Sequence, residues 1–138
     1  MRFYLAHPIL VRKEVREAEL KFEEKTGIEL VNPFYDGKRY DFHDNNNGKL
    51  KEWDMGLDHE SLIENDVKLI LSTDGLVAVI PFEQTIGVIC ELMIAKQFNK
   101  KVYIVTSHKP WLNHPWLKYV SDVIVSNFEE LTDILNRT

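Results

Sequence analysis

The chain has 138 residues, a net charge of −5, 44% hydrophobic and 28% charged residues. That size suits one domain over residues 1–138 with a core that needs no disulfide or metal, and the acidic balance gives no reason to expect a nucleic-acid polymer as ligand. One cysteine, Cys90, excludes an internal disulfide, the opening apolar stretch is too short for a signal peptide, and no run reaches membrane-spanning length, so a cytoplasmic protein with no membrane partner is expected.

Residues 2–6 read as a short strand, ended by His7-Pro8. Residues 11–25 have helical character, with Val15, Ala18, Leu20 and Phe22 among many Glu, Lys and Arg, and Gly27 supplies a stop. Residues 28–31 are a second strand, closed by Asn32-Pro33. Residues 34–53 are polar, aromatic and turn-rich around Asp44-Asn45-Asn46-Asn47-Gly48, and a loop that long inside a compact domain is usually functional or mobile. A helix over 57–71 leads into the apolar strand 76–80, then an apolar helix carrying Glu91, then a strand over 101–105. Residues 109–117, with two Pro and two Trp, read as a loop. A strand over 123–125 and a helix over 128–135, capped by Asn127, complete the chain, with no repeat and no linker.

Strands alternating with helices through short connections predict a doubly wound, flavodoxin-like α/β domain: a five-stranded parallel sheet with helices on both faces. Its first and third strands would flank the switch point, outside whose carboxyl ends ligands bind. The loop after Ala6 and the loop before Glu91 then share one edge of the sheet, and Asp66 on the preceding helix could face the same crevice.

Glu91 stands out. It follows Gly87 by four residues, about one turn into a helix of Val88, Ile89, Cys90, Leu92 and Ile94. A carboxylate in that company is either paired or chemically employed, although Gly followed by Glu is a weak pattern by itself. Other motifs carry less. His43, Asp44 and His59 match no strong metal-ligand spacing, and the run from His43 lacks both anchoring ligands of a calcium loop, so no metal is expected. Cys90 has no evident base beside it and reads as a buried small residue, and no glycine-rich phosphate loop follows the first strand. Trp111 and Trp116, in a loop, suggest a subunit contact or a ligand lid.

Taken together, these residues resemble the nucleoside 2-deoxyribosyltransferase family and its relatives, the deoxynucleoside 5′-monophosphate N-hydrolases. Phe3-Tyr4-Leu5-Ala6 is similar to that family's opening strand, whose Tyr hydrogen-bonds the catalytic glutamate, and Tyr4 is the match. Asp66 stands eight residues before Asp74, as the family's active-site Asp does before the Asp opening its third strand. Gly87 and Glu91 match the family's glycine and nucleophilic glutamate, with Leu92 and Ala95 in step, and Asn113 resembles an asparagine lent to the neighbouring subunit's site. Three departures matter. His7 stands where a small residue is usual, Met93 replaces a frequent Gly, and Thr85 occupies a place held by Asp in transferases and Ser in the hydrolases.

The resemblance implies that Glu91 attacks C1′ of a deoxyribosyl group, as in a retaining glycosidase, with Tyr4 orienting the carboxylate and Asp66 contacting sugar or base. Phe34 and Tyr35 are candidate stacking surfaces for the base, and His7, Thr85, Gly87 and Asn113 further substrate contacts. No metal or organic cofactor is implied. The partners would be a deoxynucleoside or deoxynucleotide, a free nucleobase, and further copies of the chain, since Asn113 would serve a neighbour. Three classes are expected in this order: a transferase, an N-glycosidase acting on 5′-monophosphates, and a non-catalytic nucleotide-binding module of the same fold.

Overall fold

In the first strand, β1 (Arg2–Ala6), Phe3, Tyr4, Leu5 and Ala6 are all buried, as a strand covered on both faces requires. The computed structural model describes residues 1–36, 58–83 and 85–137. Within them β1 lies beside β2 (Glu29–Val31) and β3 (Gly75–Val79), and β4 (Lys101–Val105) and β5 (Val123–Val125) follow. All pairings are parallel, in the order β2-β1-β3-β4-β5. The expected flavodoxin-like order is therefore present, with β1 and β3 adjacent at the switch point.

The helices are α1 (Arg12–Thr26), α2 (Pro33–Asp36), α3 (His59–Ser72), α4 (Ile86–Gln97), α5 (Pro115–Val120) and α6 (Phe128–Arg137), with short 3-10 turns over Ile9–Val11 and Lys109–Asn113. Successive strand side chains point to opposite faces. Accordingly Tyr4, Ala6, Leu76, Ala78, Val102 and Ile104 share one apolar cluster with Ile70 of α3, Leu92 of α4 and Leu117 of α5. Phe3, Leu5, Val77 and Val105 share another with Phe22 of α1 and Leu131 of α6.

Local chemistry fixes the ends. Helix α1 stops at Gly27, whose φ of 73° is the left-handed conformation that glycine tolerates best, and its N–H bonds Glu23 O. Asn127 caps α6 by accepting from Glu130 N at 2.8 Å, while the Glu130 carboxylate accepts from Ser126 N at 3.1 Å. At Gly75 a Cβ would come within 2.7 Å of Lys101 O, so the β3–β4 approach at this point needs glycine.

The structure corrects three expectations. Phe34 and Tyr35 belong to the helical turn α2 rather than to a loop. The rest of that segment, with His43, Asp44 and the Asn run, lies outside the described residues. Residues 109–117 are not a loop: they hold the second 3-10 turn and the start of α5. Pro110 and Pro115 occupy first-turn positions, where a missing N–H costs nothing, and His114 Nδ1 accepts from Trp116 N at 3.2 Å. Cys90 is exposed, not buried. Helix α4 is apolar around most of its circumference, so its pattern did not tell inside from outside. Among the described residues no helix is long and apolar enough to cross a membrane.

Candidate active site

Tyr4 points from β1 to the face covered by α3, α4 and α5, and only 1% of it is exposed. On α4, Val88, Leu92 and Ala95 turn into this same cluster. Glu91 is three residues after Val88 and four before Ala95, so it shares their side of the helix, half-buried. The Tyr4 hydroxyl donates to Glu91 Oε2. A phenol donating to a carboxylate away from bulk water is a charge-assisted bond, worth about 1.5–3 kcal/mol.

Asp66 is buried on α3, one turn before the fully buried Ile70 and on the same helical face. Ile70 packs in the cluster that holds Tyr4, Val88 and Leu92, which brings Asp66 to the Tyr4–Glu91 side of the sheet. Two carboxylates and one phenol thus come from three elements, two of them helices laid on the same sheet face.

The loops at the carboxyl edge complete the surroundings. Thr85 occupies the N-cap position of α4; its side chain is buried and makes no capping hydrogen bond, while its carbonyl accepts from Ile89 N at 3.0 Å. Gly87 is exposed, and a Cβ there would meet nothing within 4 Å, so packing within the chain does not call for glycine. Trp111 Nε1 donates to Pro81 O at 3.1 Å, tying the segment after β4 to the segment after β3 that leads into α4. His108 sits between the rings of Phe82 and Trp111, 4.8 Å from each. Asn113 is exposed at the end of the 3-10 turn.

His7, Phe34 and Tyr35 gather where β1 and β2 end. His7 is buried, with Nδ1 2.9 Å from Pro8 O, Nε2 3.2 Å from Asn32 Oδ1, and its ring 4.6 Å from that of Phe34. Phe34 is buried, and Tyr35 lies half-buried under the Arg16 guanidinium at 4.7 Å. Sequence reasoning missed the groups beneath them. Glu19, fully buried on α1, accepts from Asn32 Nδ2 at 2.7 Å and pairs with Arg16 at 3.1 Å. The available signal was spacing: Glu19 stands four residues after Val15 and three before Phe22, on the helix's apolar side, and Asn32, a buried amide just past a strand end, is its partner.

A groove of about 720 Å³ lies on the other face, lined by Val11, Val15, Phe22, Pro81, Phe128 and Thr132 among others, and by none of Tyr4, Asp66 or Glu91. Volume alone does not locate chemistry, and partly buried carboxylates with an aimed hydroxyl do so better. Among the described residues no three His, Cys, Asp or Glu side chains group as metal ligands.

No protein-family model matches this sequence, and no curated protein matches it.

Proposed function

We propose that the protein cleaves the N-glycosidic bond of 2-deoxynucleosides and passes the deoxyribosyl group to another nucleobase, as a nucleoside 2-deoxyribosyltransferase does. The observation that carries this reading is the Tyr4 hydroxyl seated on the half-buried Glu91 carboxylate. Such a carboxylate suits a cation-like sugar centre, because the developing oxocarbenium charge is opposed at short range in a partly desolvated site.

In this mechanism Glu91 attacks C1′ as the C1′–N bond breaks. The bond's electron pair goes to the base nitrogen, and Asp66 helps to protonate the departing base. A covalent glutamyl-deoxyribosyl intermediate results. A second base attacks C1′ from the vacated side as the C1′–O bond to Glu91 breaks, its proton passes to Asp66, and Glu91 returns to the carboxylate that Tyr4 orients. No step requires a metal or an organic cofactor.

Substrate would enter over Gly87, where open space lets a sugar approach the start of α4. A neighbouring subunit would close the crevice through Asn113, which suits the exposed Ile86, Ile89, Trp116 and Tyr119 on α4 and α5. A salvage role in the cytoplasm fits the lone, unpaired thiol of Cys90.

A second reading, hydrolysis of deoxynucleoside 5′-monophosphates, draws on Thr85. Its hydroxyl stands at the start of α4 without capping the helix, a place suited to a phosphate oxygen.

Trapping tests the shared step. A 2′-fluoro-substituted deoxynucleoside, whose oxocarbenium state is destabilised, should leave a sugar adduct on the peptide containing Glu91, read by mass spectrometry. An adduct elsewhere, or no adduct together with no base release from ordinary deoxynucleosides, would overturn the proposal.

A further inference from the structure

His7 has a protonation state that its neighbours dictate. Nδ1 faces Pro8 O at 2.9 Å, and a carbonyl oxygen only accepts, so Nδ1 carries a hydrogen. Nε2 faces an atom of the Asn32 amide at 3.2 Å, and two other contacts decide which atom that is. It accepts from Phe34 N at 3.0 Å and is therefore oxygen. The opposite end of the amide lies 2.7 Å from Glu19 Oε1 and is therefore the NH₂. Flipping the amide would set NH₂ against the Phe34 N–H and oxygen against the Glu19 carboxylate, losing both bonds. Nε2 therefore faces an acceptor too, and it also carries a hydrogen.

We infer that His7 is held as an imidazolium, donating from both ring nitrogens, and that Glu19, acting through Asn32, fixes its charge and ring orientation. Glu19 is fully buried and, by accepting from Asn32 Nδ2, turns the amide so that its oxygen faces His7, while Arg16 pairs the Glu19 charge. The other charged side chains of α1 nearby are Arg12, buried with Nη1 3.2 Å from Ile9 O, and Arg16, bound to Glu19 at 3.1 Å. Glu23 is engaged by Leu30 N at 2.8 Å, and Glu29 of β2 pairs with Arg2 at the opposite end of the strand.

The consequence bears on the crevice, and this part rests on the function proposed above. Loss of one proton sets a lone pair against either Pro8 O or Asn32 Oδ1, so the ring must turn. The Phe34 ring, packed at 32° to it, must follow. Glu19 and Asn32 are thus positioning residues: they touch no substrate, yet they set how the buried His7 and Phe34 rings pack beneath the ends of β1 and β2, on which the wall of the crevice would be built.

The test begins with the unliganded wild-type protein. Long-range ¹H–¹⁵N spectra at about pH 7.5, roughly one unit above an ordinary histidine, should show both His7 ring nitrogens protonated. The signal is assigned by its loss in His7→Gln or, if that variant does not fold, by through-space contacts to the Phe34 ring. Asn32→Ala and Glu19→Gln should each convert His7 to a neutral ring at that pH, with loss of one ring N–H. A wild-type His7 already neutral there overturns the inference, whatever the protein catalyses.

With an active protein, KM for a deoxynucleoside should rise with pH in step with the His7 titration, and the Asn32→Ala variant should lose that dependence. A titrating His7 with no matching change in KM would overturn its role in the crevice. A charged His7 in a protein with no glycosyl-transfer activity would instead count against the proposed function alone.

Discussion

The Tyr4 hydroxyl, buried in the core of the sheet, donates to the Glu91 carboxylate across 87 positions of chain. Parallel pairing of β1 with β3 sets Tyr4 beside Leu76, and the helix that follows β3 returns Glu91 over the same face. The contact therefore follows from topology and from strand alternation, which turns Tyr4 but neither Phe3 nor Leu5 toward α4.

Replacing Glu91 by Gln keeps the side chain's shape and an acceptor for Tyr4 but removes the proposed nucleophile. Turnover should fall by roughly three orders of magnitude or more. Circular dichroism and melting should match the wild type. Near-normal turnover in the folded variant would remove Glu91 from the mechanism.

Tyr4→Phe keeps the buried ring and deletes the donor. The bond contributes about 1.5–3 kcal/mol to a charged acceptor, and each 1.4 kcal/mol is about tenfold in rate. A loss of about ten- to a hundredfold in kcat is expected, with stability lowered by up to about 3 kcal/mol. Equal kcat in the two proteins would show that the hydroxyl has no orienting role.

Two glycines separate packing from function. Gly75→Ala drives a methyl to 2.7 Å from Lys101 O and 3.1 Å from the Phe3 ring, and should destabilise by about 1–3 kcal/mol in chemical denaturation. Gly87→Ala fills open space in a helix and should stabilise by up to about 1 kcal/mol, while lowering kcat/KM if substrate enters by the proposed route over it. Unchanged kcat/KM in Gly87→Ala would move the entry route elsewhere.

The apolar exterior of α4 and α5 predicts self-association. Ile86 is 63% exposed, Trp116 65% and Tyr119 62%, on two helices joined by the Lys96–Tyr119 contact at 5.0 Å. Light scattering should find at least a dimer, Ile89→Glu should dissociate it and abolish activity, and Asn113→Ala should cut activity without changing mass. A fully active monomer would contradict the shared site.

The strands were legible in the sequence wherever burial on both faces makes a continuous apolar run, and β1, β4 and β5 fall at the expected residues. Strand β3 starts one residue earlier than expected, at Gly75, because close approach to β4 rather than hydrophobicity recruits that position. Topology likewise brings Tyr4 to Glu91, and it sets the helix of Asp66 on the same sheet face. The 3-10 turn and helix α5 between β4 and β5 were hidden by prolines that start a turn as readily as they break one. The Glu19–Asn32–His7 chain was not legible, since it depends on three elements meeting and on which face of a highly charged helix turns inward.

Base exchange measures the proposed glycosyl transfer through Glu91 most directly. Purified protein is incubated with a deoxynucleoside or its 5′-monophosphate, each with and without a different free base, and the products are separated by chromatography. A new nucleoside carrying the added base, formed by the wild type and absent with Glu91→Gln, is the predicted result. No base released from either substrate by a folded wild-type protein would contradict the account, and release from the monophosphate alone without exchange would replace transfer by hydrolysis.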